Sequence, residues 1–281
     1  MTADRYAVVG HPVEHSKSPW IHARFAALTG EPVRYEALLA PLEGFAATVE
    51  RFRAEGGRGC NVTVPFKFEA AALASSLSER ATLAGACNTL RFDAGGIHGD
   101  NTDGVGLVRD IERGAMCPLA GQRVLLVGAG GAASGVLGPL LASGVAQVLV
   151  ANRTLAKATL VVQRHAAFAQ AHGAHLEAVA LGALATVDPF DVVVNATASS
   201  LAGGAVPVPA SVLRTGTLAY DLMYGPAADG FLGWAARQGA DPRDGLGMLV
   251  EQAAESFEVW RGIRPPTAPV LRDLRRLLQA G

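Results

Sequence analysis

The sequence predicts an α/β protein of two domains, each built on a mostly parallel sheet covered by helices. Two observations carry this. Short apolar runs of strand-like composition alternate with helical stretches from Arg5 onward, the signature of β-α-β units. A second alternation starts at Val124, and its first strand runs directly into the glycine-rich turn Gly128-Ala129-Gly130-Gly131-Ala132. At 281 residues the chain is long enough for two domains, each with its own core.

In the first alternation, strands are expected at Arg5–Gly10, Val33–Leu39, Cys60–Val64 and Cys87–Phe92. Helices are expected between them, near Pro19–Thr29, Leu42–Ala54 and Phe68–Ser75. A helical stretch at Val105–Arg113 and a linker from Gly114 to Gly121, containing Pro118, join the halves. The second half then reads strand from Val124, helix through Leu140 and Leu141, strand Gln147–Ala151 and a long helix from about Leu155 to Ala171. Strands at Asp191–Asn195 and Leu218–Leu222 follow. After Asp241-Pro242 come two helices, Gly247–Trp260 and Ala268–Gln279, split by Arg264-Pro265-Pro266. Those helices need a surface to cover, and periodicity leaves open whether they cap the second half or return to the first.

The turn at Gly128 points to a nucleotide. A strand must reverse tightly there, Gly130 has no side chain to hold a pyrophosphate off the backbone, and the next helix offers free N–H donors and a positive dipole end. The glycine pattern alone also fits a plain structural turn; its setting between an apolar strand and an apolar helix favours the nucleotide. The end of the second strand chooses the cofactor. An acid there would accept from the ribose 2′-OH and repel a 2′-phosphate, whereas a cation does the reverse. The chain has Asn152, Arg153, Thr154 and Lys157, with no acid between Val148 and Leu160. A guanidinium fork and an ammonium suit a phosphate, which favours NADP over NAD; the plainer reading is two solvated cations at a helix start.

The formal charge of −1 and the lack of a long basic run make no case for nucleic acid. No apolar run approaches a bilayer span, and the N-terminus enters a strand at Tyr6–Gly10 without a signal-peptide pattern, so a soluble, cytoplasmic protein without a membrane partner is expected. A monomer and a homodimer both remain open. Cys60, Cys87 and Cys117 are widely spaced, and His165, His172 and His175 lack metal-binding spacing and are expected on a solvated face; no metal is expected.

Four polar clusters fall just past predicted strand ends, where open α/β sheets place their sites. Ser16 and Ser18 precede a helix that Pro19 can start, so their hydroxyls and the nearby N–H groups suit a carboxylate; simple capping by Ser18 is the alternative. In Asn61-Val62-Thr63-Val64-Pro65-Phe66-Lys67, alternation points Asn61 and Thr63 to one face, and Pro65 ends the strand so that Lys67 projects from the following turn. Lys67 is either a surface cation or a partly desolvated acid/base group. Asn88, in an apolar strand, needs its amide satisfied by backbone or by ligand hydroxyls. Asp103, in Gly99-Asp100-Asn101-Thr102-Asp103-Gly104, either caps a helix or faces Lys67 to make an acid/base dyad.

These motifs together resemble the shikimate dehydrogenase family. The resemblance rests on Ser16-Lys17-Ser18, Asn61 through Lys67, Ala86-Cys87-Asn88-Thr89, Asp100 through Gly104, the Gly128 turn, Asn152-Arg153-Thr154 and Gly245-Leu246-Gly247-Met248, in order over nearly the whole chain. It implies reversible reduction of 3-dehydroshikimate by NADPH, in chorismate and aromatic amino acid biosynthesis. It further implies a substrate-binding catalytic domain over residues 1–104 and a Rossmann-type NADP-binding domain over 105–243. The C-terminal helices, 244–281, would pack back on the substrate domain, with Gln252 reaching its cleft.

By the same resemblance Lys67 and Asp103 are catalytic, and Ser16 and Ser18 hold the carboxylate. Asn61, Thr63, Asn88, Tyr224 and Gln252 complete the substrate pocket. The cofactor would lie on Gly128, Ala129, Gly130, Gly131 and Ala132, with Asn152, Arg153, Thr154 and Lys157 at the adenosine side. Leu222 and Gly245 would flank the nicotinamide, and Glu79 is a looser cofactor-side match. One departure stands out: the family commonly reads Asn-Ala-Thr-Ser where this chain has Asn195-Ala196-Thr197-Ala198, which removes one hydroxyl near the cofactor. Two other readings are an NAD-dependent quinate/shikimate dehydrogenase, against which Arg153 argues, and a catalytically idle NADP-binding module, against which the intact lysine and aspartate argue.

Overall fold

The computed structural model describes residues 3–197 and 208–279. The chain divides into two units, Met1–Gly106 with Val250–Gly281, and Leu107–Leu249.

The first unit begins β1 (Asp4–Gly10), α1 (Ser18–Thr29), β2 (Val33–Leu39), α2 (Phe45–Ala54) and β3 (Gly57–Val62). It continues α3 (Lys67–Leu73), β4 (Ser76–Leu77), α4 (Glu79–Ala84), β5 (Thr89–Asp93), β6 (Gly96–Asp100) and the start of α5 (Asp103–Arg109). The sheet order is β2-β1-β3-β5-β6-β4, and only β5 runs against its neighbours. Among the differences from the sequence reading, two shape the site. β3 starts earlier, at glycines that carry no apolar signal, and it stops at Val62 because the Phe66 N–H folds back on the Thr63 carbonyl at 3.0 Å. β6 was not anticipated: the Asp93 carboxylate accepts from the Gly95 N–H at 2.9 Å, closing a hairpin that leads the chain back toward Asp100.

The second unit contains β7 (Arg123–Val127), α6 (Gly131–Ala142), β8 (Gln147–Asn152), α7 (Leu155–Ala171), β9 (His175–Ala180) and β10 (Val192–Asn195). It closes with β11 (Leu218–Asp221), α8 (Asp229–Arg237) and β12 (Asp241–Arg243). All pairings are parallel, in the order β12-β11-β10-β7-β8-β9. Read from β9, this is the 3-2-1-4-5-6 order of a Rossmann sheet, whose switch point lies between β7 and β10. The central strands are apolar on both faces, as helices on either side require. Edge strands β9 and β12 and helix α8 lack so continuous an apolar signal and were not read from the sequence. The expectation for His165 is also corrected. It lies on the stripe Ala158, Val161, His165 and Ala169, which α7 buries at helical spacing, and its Nδ1 meets the Val161 carbonyl at 2.9 Å. His172 and His175 are exposed.

Helix α5 ends in a wider turn, Asp110–Gly114, in place of the regular helix expected through Arg113. Asp110 is buried and forked by Arg243, at 2.6 and 2.7 Å, and it accepts from the Tyr220 hydroxyl at 2.8 Å. Burial and the Asp110 charge both push the Tyr220 phenol well above its usual range, so it remains a donor. Replacing Asp110 with alanine strands a guanidinium and a phenol, and is expected to cost about 3–5 kcal/mol. Urea unfolding monitored by circular dichroism checks this; an unshifted midpoint would show that the cluster does not stabilise the unit.

Helices α9 (Leu246–Arg261) and α10 (Thr267–Gln279) complete the first unit. From α9, Trp260 donates to the Leu90 carbonyl at 3.0 Å and stacks on Tyr6 with ring centroids 4.6 Å apart. Asp273 of α10 pairs with Arg24 of α1 at 2.7 Å. Between α1, α9 and the sheet lies an aromatic layer of Tyr6, His22, Phe25, Tyr35, Phe257 and Trp260. His22 is fully buried in it, 4.2 Å from Tyr35 and nearly coplanar with it, and neither ring nitrogen has a hydrogen-bond partner. Among the described residues no helix is long and apolar enough to cross a membrane.

Candidate active site

Lys67 does not project from a turn as expected: it is the first residue of α3, where the chain leaves the turn after β3. Asp103 opens α5 in the same way. The two side chains form an ion pair, both largely shielded, with 15% and 6% of their surfaces exposed. Nζ lies on Asp103 Oδ2, while the Asn88 amide donates to Oδ1 at 2.8 Å, so each carboxylate oxygen is held by a different partner.

Asn88 is the junction of a larger network. Its amide also reaches Thr102 Oγ1 at 2.9 Å and Gln252 Oε1 at 3.1 Å, and its Oδ1 accepts from the Thr102 N–H at 2.8 Å and the Thr89 hydroxyl at 2.9 Å. Asn61 donates to the Asn88 carbonyl at 3.1 Å, Thr89 Oγ1 at 3.1 Å and Ser256 Oγ at 2.9 Å, and accepts from the Tyr35 hydroxyl at 2.8 Å. Thr89 and Thr102 stood inside the polar clusters without a role of their own, whereas Ser256 and Tyr35 were missed in the sequence. Ser256 had a signal, since it lies four residues after Gln252 and so on the same face of α9. Tyr35 carried none beyond being polar in apolar surroundings.

Behind Asn88, Arg80 forks Asp100 at 2.7 Å through each of two nitrogens and reaches Glu255 of α9 at 2.8 Å. Burial raises the Asp100 pKa, but Arg80, the Ser78 hydroxyl and the Asn101 N–H outweigh it and hold the carboxyl below its ordinary range. Asp100 is thereby a fixed anion whose backbone carbonyl accepts from the Asn88 N–H at 3.1 Å.

Ser18 lies inside α1, and the cap position is Lys17 without a side-chain cap bond, so capping does not account for Ser18. Ser16 Oγ accepts from the Ser18 N–H at 3.3 Å. Thr63 sits in the turn after β3, its methyl packed where a side chain on Gly10 would stand. Glu79 is exposed at the start of α4, outside the Asn88 network.

In the second unit the Gly128 turn falls at the switch point. Gly128 has φ +118°, and a β-carbon there would press on the Ala196 carbonyl at 3.0 Å. Gly130 caps α6 without a side-chain bond and has open space where its β-carbon would be, with Ala129, Gly131 and Ala132 beside it. This turn, with the N–H groups that open α6, fits a pyrophosphate. At the end of β8, the Asn152 amide braces the Thr154 carbonyl at 2.9 Å. Arg153, Thr154 and Lys157 are exposed, and neither cation has an ion-pair partner among the described residues. The charge at this strand end is wholly positive, which fits a 2′-phosphate.

At the ends of β10 and β11, Asn195 donates to Asp221 at 2.9 Å, and Asp221 accepts from the Met223 N–H at 2.9 Å. Gly245 lies so close to the Leu222 carbonyl that a β-carbon would come within 2.3 Å. These contacts fix the loop that carries Leu222 and the half-buried Tyr224. The departure at Ala198 lies outside the described residues. Among those residues, no three His, Cys, Asp or Glu side chains are grouped to hold a metal ion.

A Rossmann unit with an open glycine turn, together with an α/β unit that sets a lysine–aspartate pair among amides, defines a class: nucleotide-dependent two-unit α/β enzymes. Three family models match the chain in series: shikimate dehydrogenase substrate binding domain over residues 8–90, shikimate / quinate 5-dehydrogenase over 111–202, and shikimate 5'-dehydrogenase C-terminal domain over 245–275. The chain is 63% identical over 279 residues to the shikimate dehydrogenase (NADP(+)) of Acidovorax sp., covering 99% of this chain and 98% of that one. It is similar to the crystal structure of an Ael1 enzyme from Pseudomonas putida, at 46% identity and TM-score 0.88, covering 97% and 98% of the two chains. It is also similar to shikimate 5-dehydrogenase from Thermus thermophilus in complex with NADP(H) and shikimate, at 33% identity and TM-score 0.83, covering 97% and 99%. The chain belongs to the shikimate dehydrogenase family.

Proposed function

We propose that this enzyme interconverts 3-dehydroshikimate and shikimate with NADP, the step its family contributes to chorismate and aromatic amino acid biosynthesis. The observation that carries this is the Lys67–Asp103 pair with Asn88 on the second carboxylate oxygen. When bound, NADPH supplies the hydride to the ring ketone. Lys67 gives a proton to the oxygen that becomes the hydroxyl, and in the oxidative direction it takes that proton back. Asp103 keeps Lys67 aimed and offers an acceptor to a ring hydroxyl, while Asn88 prevents the carboxylate from rotating.

Ser16 and Ser18 take the substrate carboxylate in this reading, and Thr63, Asn61, Asn88, Gln252 and Tyr224 surround the ring. Residues 1–104 and 244–281 form the substrate side and 105–243 the NADP side. The Gly128 turn holds the pyrophosphate, Arg153 and Lys157 the 2′-phosphate, and Leu222 and Gly245 the nicotinamide, with Glu79 on the cofactor side.

Initial rates of reduced-nucleotide formation test substrate and cofactor together. Shikimate with NADP is expected to be the fastest combination of shikimate or quinate with NADP or NAD. Faster oxidation of quinate with NAD would assign the enzyme to the other branch of the family, and no turnover despite binding of both ligands would make it an idle binding module.

A further inference from the structure

Asn195 and Asp221 are register partners at the carboxyl ends of the parallel strands β10 and β11, and both are buried. The Asn195 amide donates to one Asp221 oxygen at 2.9 Å, and the other oxygen accepts from the Met223 N–H at 2.9 Å. Asn195 Oδ1 accepts from the Thr197 N–H at 3.2 Å and from the Thr197 hydroxyl at 2.8 Å. A backbone N–H can only donate, so the Asn195 oxygen must face Thr197 and its amide must face Asp221. Asp221 thus meets a donor at each oxygen, which a carboxylate satisfies and a side-chain amide cannot. The pair joins two loops. One follows β10 and brings the Ala196 carbonyl to 3.0 Å from where a β-carbon on Gly128 would stand. The other carries Leu222, whose two flanking peptides are both held: its own N–H by the Asn195 carbonyl at 3.0 Å, and the next, of Met223, by Asp221.

We propose that Asp221 is a positioning residue for hydride transfer, setting Leu222 and through it the nicotinamide without touching the reacting atoms. This rests on the reading of Leu222 and Gly245 as the nicotinamide side and of the Gly128 turn as the pyrophosphate site. Asp221→Asn keeps the size and shape of the side chain but sets an amide against a donor whichever way it turns, toward Asn195 in one orientation and toward Met223 in the other. Asn195 is fixed by its two bonds from Thr197, so the loop that gives way is the one carrying Leu222. A small displacement of a reacting group costs rate steeply. The adenosine end of the cofactor is held at the Gly128 turn and Arg153 in this reading, so the loss falls on the chemical step. The reciprocal change Asn195→Asp supplies the missing acceptor: one of its oxygens takes Thr197 and the other takes the new amide, whose own oxygen still takes Met223.

The single-turnover rate of NADPH formation from shikimate and NADP reads hydride transfer directly and tests the proposal. Asp221→Asn is expected to slow it about ten- to a hundredfold, while the Kd for 2′-phospho-ADP-ribose, which lacks the nicotinamide, stays within about twofold of wild type. The double variant Asn195→Asp/Asp221→Asn is expected to recover most of the rate, as side chains in direct contact do and independent ones do not. An unchanged rate in Asp221→Asn overturns the proposal. So does an affinity for the fragment that falls in step with the rate, which marks a carboxylate that only supports the fold. A double variant no faster than the single one breaks the pairing on which the proposal stands. A wild-type enzyme that does not reduce NADP with shikimate defeats the functional reading and this proposal with it. Wild-type turnover with an unaltered variant defeats the positioning role alone.

Discussion

Replacing Lys67 with alanine is expected to lower kcat for shikimate oxidation by about two to four orders of magnitude, the usual contribution of a positioned proton-transfer group. Lys67 is the only cation paired with Asp103 among the described residues. The change removes a shielded charge and leaves Asp103 held by Asn88 alone. NADP binding is expected to be nearly unaltered, since the turn and the cations that fit the cofactor belong to the other unit. Turnover measured by absorbance and NADPH affinity measured by fluorescence separate the two effects. Turnover close to wild type would remove Lys67 from the chemistry, whereas equal losses of turnover and cofactor affinity would point to a misfolded variant.

Acidification is expected to destabilise the first unit through His22, and His22→Phe is expected to blunt that response. Burial holds the imidazole neutral down to about 3. An unfolded chain protonates the same ring at an ordinary value near 6.5. The native pKa is the lower one, so the unfolded state binds the extra proton and stability falls as pH drops below 6.5, levelling off near 3. Each pH unit in that window costs about 1.4 kcal/mol, or about 2 kcal/mol by pH 5. Phenylalanine keeps a flat ring against Tyr35 and removes two unpaired nitrogens. Its unfolding free energy is therefore expected to change less between pH 7 and pH 5 than that of wild type, by about the same 2 kcal/mol. Parallel pH profiles, from urea titrations at each pH, would show that other groups control the acid limb.

The fold was legible where the chain buries both faces of a strand or one stripe of a helix. The cores of β7, β8, β10 and α7 are continuous apolar patterns, and α7 was read to its exact ends. In the second unit the edge strands were not, because β9 and β12 bury too little to be written in apolar residues. Of the candidate site, Lys67, Asp103 and Asn88 were visible as polar residues at strand ends, yet their mutual contacts span intervals of 15 to 36 residues, which no local pattern encodes. Gln252 was reached only through resemblance. Tyr35 escaped notice because a tyrosine is an ordinary strand residue.

The arrangement of the first unit also bears on how the protein is made. Its sheet is translated early, but Gln252, Glu255, Ser256 and Trp260 arrive only after the whole second unit has been synthesised. The second unit is one unbroken stretch and can close on itself during translation, as contiguous domains do. Asn61 and Asn88, by contrast, lack their last partners until α9 leaves the ribosome, so these amides wait on it throughout synthesis of the second unit. The residues that complete the candidate site are thus added only after the whole second unit, and completion of the first unit waits on α9.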